Sequence, residues 1–227
     1  MLFADLAERL VEVRARIDSA VARGGHKQQV TVVAVTKSHG SDAVLAAWEA
    51  GLRDVGENRV QEALRKMAEV GSPVRWHLIG HLQRNKAQSV TRFAVLHSLD
   101  SPRLADAVNE VGLSGERPVD ALVQVNVSGE GSKGGFATGE LPAEAERLAG
   151  MRGIRVTGVM TMAPLDADEG TLRTVFQRAR TARDILTGAG HPALGLSMGM
   201  SNDFVIAVEE GATMVRLGTV LFGERGT

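Results

Sequence analysis

Val30-Thr31-Val32-Val33-Ala34-Val35-Thr36 is a seven-residue apolar run rich in β-branched residues. With no polar alternation it reads as a strand buried on both faces, as in parallel sheets. Before it, Leu6, Leu10, Val13, Ile17 and Val21 recur every three or four residues with charges between them. That period predicts an amphipathic helix over residues 2–23, ended by Gly24-Gly25. After the run, helix and strand alternate. Helices are expected near 41–51, 58–70, 83–91, 102–111, 140–149, 168–187 and 202–210. The strands that follow them are expected at 53–55, 74–79, 93–96, 119–127, 154–161, 193–197 and 213–217.

Eight strands in strict β-then-α order imply right-handed crossovers and a parallel sheet. The expected fold is an α/β protein, a (β/α)8 TIM-type barrel. An open doubly wound sheet is the alternative. About ten residues follow the eighth strand, so the extra opening helix is expected to cover the gap between strands eight and one. No linker or composition shift divides the 227 residues, and residues 1–227 are read as one domain. Residues 128–139, with five glycines, read as a mobile loop.

Composition narrows the chemistry. Lys+Arg 26 against Asp+Glu 27 leaves a net charge of −1, so there is no basic excess for nucleic acid or an anionic membrane. With no cysteine, disulfides, thiolate metal sites and a cysteine nucleophile are excluded. There is also no tyrosine. The opening residues lack a secretory pattern and no apolar run approaches a membrane span. A soluble cytoplasmic protein is expected, and Asn126-Val127-Ser128 then carries no meaning as a glycosylation triplet.

In such barrels functional groups gather at the carboxyl ends of the strands. Those positions hold Lys37, Gly56-Glu57-Asn58, His77 with Gly80-His81, Asn126-Val127-Ser128, Met160-Thr161-Met162, Ser197 to Ser201, and Arg216-Leu217-Gly218-Thr219. Lys37 is the sharpest signal, because the chain has only 5 lysines against 21 arginines. Partial desolvation there would lower its pKa and expose an amine able to form a Schiff base with an aldehyde. The bland reading is a lysine snorkelling from a strand end. Ser201-Asn202-Asp203 opens a helix with Ser201 as N-cap. With Gly199, Gly218, Ser197 and Thr219 it suits either an anion site or ordinary turn chemistry. Arg216 sits in the apolar stretch 214–217 and needs an acceptor, either a carboxylate such as Glu57 or a ligand heteroatom such as a pyridine nitrogen.

Other signals are discounted. Residues 129–134 match GxGxxG, but at the fifth strand and without an immediate helix. His77 and His81 read as structural rather than metal ligands. Asp166, Asp168 and Glu169 make an acidic helix start. Met160 and Met162 read as packing residues.

An ordered series of segments carries a family likeness. It comprises Val35-Thr36-Lys37, Gly56 to Glu62, Trp76 to Gly80 and Leu82 to Lys86. It continues through Val125 to Ser128 with Lys133 and Gly135-Phe136, then Gly158-Val159-Met160, Leu196 to Ser201, Val215 to Thr219 and Phe222-Gly223. Over essentially its whole length the chain resembles the pyridoxal phosphate homeostasis (YggS/PROSC) family. The resemblance implies a fold-type III barrel similar to the alanine racemase N-terminal domain. It implies pyridoxal 5′-phosphate (PLP) held as a covalent aldimine, a Schiff base, on Lys37. Arg216 would face the pyridine nitrogen, Ser197, Ser201, Gly218 and Thr219 would hold the phosphate, and Asn58 would lie near the ring's polar edge. His77 or Ile79 would help floor the ring, and Lys86 and residues 128–136 would share the rim.

The family is regarded as PLP binders in vitamin B6 homeostasis without an established catalytic reaction. Consistent with that, a two-base racemase of this fold needs a second acid/base, there a tyrosine from a further domain, and this chain has neither. An arginine on the ring nitrogen also weakens the ring as an electron sink. The expectation is a non-catalytic, monomeric PLP carrier in contact with PLP and transiently with PLP-dependent apoenzymes, but not with nucleic acid or membrane. The alternatives are a small racemase-like PLP enzyme using a base such as His77, and a sugar-phosphate barrel enzyme.

Overall fold

Eight parallel strands close on themselves. In the computed structural model, which describes residues 3–71, 74–127 and 134–223, they are β1 (Thr31–Val35), β2 (Asp54–Glu57), β3 (Arg75–Leu78) and β4 (Val95–Leu99), then β5 (Val119–Asn126), β6 (Ile154–Met160), β7 (Gly195–Ser197) and β8 (Met214–Leu217). Each pairs with the next, and β8 pairs with β1. That last ladder closes the expected barrel and rules out the open sheet.

The helices are α1 (Leu6–Gly24), α2 (Ser41–Glu49), α3 (Val60–Glu69), α4 (Pro102–Ser114), α5 (Leu141–Ala149), α6 (Glu169–Gly188), α7 (Phe204–Glu209) and α8 (Thr219–Phe222). Among the described residues only one turn of helix follows β8, and α1 covers the gap as expected. Leu6, Leu10, Val13, Ile17 and Ala20 form its buried stripe. Arg23 Nε meets Glu209 Oε1 at 2.6 Å, and Gln28 Nε2, just beyond α1, donates to the Val208 carbonyl at 2.8 Å.

Three local expectations change. Residues 83–91 do not form an α-helix but a 3₁₀ segment, Arg84–Arg92. Its buried residues, Ala87 and Val90, stand three apart, which suits three residues per turn. The fourth strand starts at Val95 rather than Phe93, because the Phe93 N–H still closes that segment on the Val90 carbonyl. Within 128–139, Phe136–Ala137 is a short strand parallel to the end of β5 rather than loop. Residues 128–133, including Ser128 and Lys133, lie outside the described residues.

Register decides what faces inward, since laterally paired residues share a face. One row runs Arg216, Val33, Asp54, Arg75, and the next runs Val35, Gly56, His77, Val95. The barrel interior is therefore partly polar, and Asp54, His77, His97, Ser197 and Arg216 are all buried. The alternate residues Val32 and Ala34 face the helices and join the apolar core.

One close approach shapes the mouth. A Cβ on Gly80 would collide with the carbonyl oxygen and Cα of Asn58. Gly80→Ala should therefore cost about 1–3 kcal/mol, the usual range for overpacking, read as a lower urea midpoint with an unchanged slope.

Candidate functional site

β1 ends at Val35, so Lys37 lies two residues past the strand, in a turn, and is exposed. Among the described residues Lys37 has no ion pair or side-chain hydrogen bond. The turn beneath it is held from both sides. The Thr36 carbonyl accepts from Lys66 Nζ at 2.8 Å, and the Ser38 N–H donates to Glu62 Oε1 at 3.0 Å. Ser38 adopts φ 66°, in the left-handed region. The next residue, His39, packs its ring against Phe3 and Phe222 at 5.5 and 5.3 Å between centroids, which ties the turn to both ends of the described chain.

Lys66, on α3, was not singled out by sequence. It is fully buried and also contacts Glu57 Oε1 at 2.7 Å and Glu62 Oε1 at 2.9 Å. Thr36 Oγ1 donates to the same Glu57 oxygen. Burial pushes the Glu57 carboxyl up despite Lys66, and Glu57 Oε2 is buried without a partner among the described residues. Glu62, nearer the surface, is desolvated less, and the bonds from Lys66 and the Ser38 N–H hold it below its usual range. One ammonium thus serves two carboxylates unequally.

Arg216 does not pair with Glu57, which faces α3 on the outside of the sheet. Its Nη1 donates to the Ser197 carbonyl at 2.7 Å and Ser197 Oγ at 2.6 Å, and its Nη2 donates to the Thr161 carbonyl at 2.9 Å. Burial lowers its pKa to about 10, opposed by the charge of Asp203, so it remains a cation near neutral pH. A guanidinium has five N–H donors, and among the described residues Nε and one Nη2 hydrogen remain uncommitted. A buried cation bound by carbonyls, with donors to spare and no ion pair, suits a ligand acceptor.

The turns after β7 and β8 are joined. Ser201 does not cap the helix, because α7 begins at Phe204. Instead Ser201 Oγ accepts from the Val220 N–H at 3.3 Å, which links the two turns. Asp203 takes the Met200 N–H at 2.6 Å. Gly199 has φ 92°, and a Cβ there would meet Ala207 Cβ at 2.7 Å, so this turn needs a glycine. Gly218 precedes α8, and Thr219, its first residue, is exposed. The first amides of a helix have no partner within it. Asn58 is half-buried directly after β2.

Two expectations change here. Ser197 is fully buried, and its hydroxyl is spent on Arg216 and His97, which assigns it to supporting the guanidinium rather than contacting a phosphate. His77 is also buried, with Nε2 on Asp54 Oδ1 and Nδ1 on His97 Nε2, both at 2.8 Å. Neither nitrogen is free to act as a second base. His81 is exposed and bonded to Asp100 at 2.7 Å, and Lys86 is half-buried in the 3₁₀ segment. No cluster of three metal-ligating side chains occurs among the described residues.

Asp54 yields a pH prediction. Burial pushes its carboxyl up, but hydrogen bonds from His77 and Arg75 outweigh that and leave it below its ordinary value. The folded pKa is thus depressed. Its stabilisation is present above the unfolded value and is lost as pH falls through the folded one. Urea midpoints of Asp54→Asn should fall less steeply than those of the wild type below about pH 4. Parallel curves would remove this assignment.

Comparison with known proteins follows the same outline. The alanine racemase N-terminal domain profile matches residues 9–226. A pyridoxal phosphate homeostasis protein of Pseudomonas aeruginosa is 41% identical over 223 residues, covering 97% of this chain and 96% of that protein. The protein of that description from Aquifex aeolicus is 38% identical over 222 residues, covering 96% and 97%. PipY of Synechococcus elongatus, with PLP bound, matches with a TM-score of 0.84 at 36% identity, covering 96% of this chain and 100% of that one. Alanine racemase of Corynebacterium glutamicum shares the fold at 18% identity and a TM-score of 0.71, covering 92% of this chain and 60% of its own.

Proposed function

The chain belongs to the pyridoxal phosphate homeostasis protein family, and from that membership we propose that it binds PLP through Lys37 and serves vitamin B6 homeostasis by holding the cofactor rather than by turning over a substrate. One observation carries the reading. Among the described residues, an uncommitted amine stands in the turn just past β1, and a buried guanidinium with no carboxylate partner stands on the adjacent strand β8. When bound, PLP supplies an aldehyde that condenses reversibly with a primary amine.

The residues present fit that group. Lys37 offers the amine from an anchored turn. Arg216 offers its spare donors to the ring nitrogen and, being charged near neutral pH, leaves that nitrogen without a proton of its own. Ser201, Gly218 and Thr219 would take the phosphate from two turns that Ser201 Oγ and the Val220 N–H already join. Asn58 would border the ring's polar edge. A carrier is favoured over a racemase because both nitrogens of His77, the candidate second base, are committed inside the barrel.

The reading extends to a single barrel domain acting as a cytoplasmic monomer that meets PLP-dependent apoenzymes transiently, with no role for nucleic acid or membrane. No helix among the described residues is long and apolar enough to cross a membrane. The exposed large apolar residues Val11, Leu45, Leu113, Leu165 and Leu194 belong to separate elements rather than one stretch of chain.

Adding PLP to the protein should produce a band near roughly 420 nm. Borohydride should then fix the label on the peptide containing Lys37. Fixation on Lys86 or Lys133 would reassign the site, and no uptake would end the reading. Exchange of amino-acid Cα hydrogen in deuterium oxide should stay at background, and robust exchange would favour the racemase.

A further inference from the structure

Four hydrogen bonds thread the inside of the barrel. Arg216 Nη1 donates to Ser197 Oγ at 2.6 Å, and Ser197 Oγ lies 2.9 Å from His97 Nδ1. His97 Nε2 lies 2.8 Å from His77 Nδ1, and His77 Nε2 lies 2.8 Å from Asp54 Oδ1. The second oxygen of Asp54 accepts from Arg75 at 2.7 Å. The chain crosses from β8 through β7, β4 and β3 to β2, and each of its five side chains is buried.

Its two ends are chemically opposite. A guanidinium only donates, and an ionised carboxylate only accepts. The hydroxyl and each neutral imidazole have one hydrogen to give. Four bonds need four hydrogens, and Arg216, Ser197, His97 and His77 supply one each. The count closes in one direction only. Ser197 donates to His97 Nδ1, His97 Nε2–H donates to His77 Nδ1, and His77 Nε2–H donates to Asp54. Both imidazoles are then neutral and carry their hydrogen on Nε2. An imidazolium at either position adds a hydrogen for which the chain has no acceptor. Burial, and after it the charge of Arg216, hold His97 well below the usual histidine range.

We propose that His97 and His77 are positioning residues for Arg216. The oriented chain, ending on Asp54, draws the Ser197 hydrogen toward His97, so that only oxygen lone pairs face the guanidinium. Arg216 is thereby fixed in one pose. The inference rests on the reading that Arg216 serves the ring nitrogen of PLP. Without His97 the Ser197 hydroxyl can rotate, and the guanidinium loses its directed partner. Buried networks of this kind hold their members only when every bond is made. The charged groups around the chain are Arg216 and Asp203 at one end and Asp54 and Arg75 at the other.

The test has two arms. In the wild-type protein labelled with 15N-histidine, His77 and His97 should both show the Nε2–H tautomer near neutral pH, and His97 should not titrate between about pH 5.5 and 8.5. An Nδ1–H tautomer at either residue, or a His97 midpoint in that range, overturns the inference without reference to PLP. In the second arm, His97→Phe should weaken PLP binding about ten- to a hundred-fold, the range for losing one hydrogen bond to a charged group. It should also shift the absorption maximum of the bound cofactor while Lys37 remains the residue fixed by borohydride. Asp54→Asn keeps an acceptor for His77 and should restore a near wild-type spectrum. Asp54→Leu should behave like His97→Phe, so the Asn/Leu pair decides if His97→Phe does not fold.

A wild-type spectrum and affinity in His97→Phe or Asp54→Leu overturns the positioning role and leaves PLP binding standing. Failure of the wild type itself to take up PLP overturns both.

Discussion

Lys37→Ala should abolish borohydride-stable capture of PLP while leaving the barrel intact. The two halves of that result have separate causes. The side chain is exposed and, among the described residues, makes no hydrogen bond or ion pair, so its removal exposes no core and orphans no partner. Stability should stay within about 0.5 kcal/mol of wild type, a shift of at most about 2 °C in Tm for a chain of this size. Lys66, the lysine that braces the same turn, cannot take over the covalent step, because it is buried and engages three oxygens. What remains is non-covalent attraction of the phosphate to the joined turns after β7 and β8, and of the ring nitrogen to Arg216. The variant should therefore retain PLP weakly, lack the band near about 420 nm, and lose all PLP on dialysis after borohydride. Undiminished label in the variant, on any lysine, would refute the assignment. A collapsed Tm would refute the claim that Lys37 is structurally idle.

The barrel was readable because its strands are short apolar runs, buried on both faces, separated by helices at regular intervals. That Lys37, Asn58, Arg216 and the turns after β7 and β8 lie at or near strand ends was readable because position along a strand is a local property. Side-chain partners were not. Ser201-Asn202-Asp203 has the composition of a helix start, but the Val220 amide, nineteen positions away, takes the hydroxyl. Ser197 looked like a rim hydroxyl, yet His97, one hundred positions earlier, holds it inside. The 3₁₀ segment shares its apolar spacing with a short α-helix, and period alone does not separate them. Lys66 had a usable signal that went unread. Glu62 and Lys66 stand four apart on α3 and resemble an ordinary exposed pair. The scarcity of lysine that singled out Lys37 applies equally to Lys66, a compact ammonium on a flexible stem rather than a planar guanidinium fork.

Lys66→Met should then be the most damaging substitution to stability. Methionine fills much of the same volume, so the loss is chiefly electrostatic. Glu57 is fully buried, and its remaining bond is from Thr36. Removing one member of a buried pair typically costs 3–5 kcal/mol, about that much here, because the other charge is left uncompensated. The sign with pH follows from Glu57. Its folded pKa already lies above the unfolded one through burial, so its contribution is complete below the unfolded value and is lost as pH rises through the folded value. Without Lys66 the folded pKa rises further. The deficit of Lys66→Met should be small near about pH 4 and grow toward neutrality. Adding Glu57→Gln should recover part of it, since an amide can accept from Thr36 without a charge to neutralise. PLP capture should fall as well where the variant is still folded, because the Thr36 carbonyl loses its donor and Lys37 its brace. Urea unfolding at several pH values, with borohydride labelling on the same samples, reads both effects. A deficit independent of pH, or full PLP capture in a destabilised variant, would separate Lys66 from the site and leave it a packing residue alone.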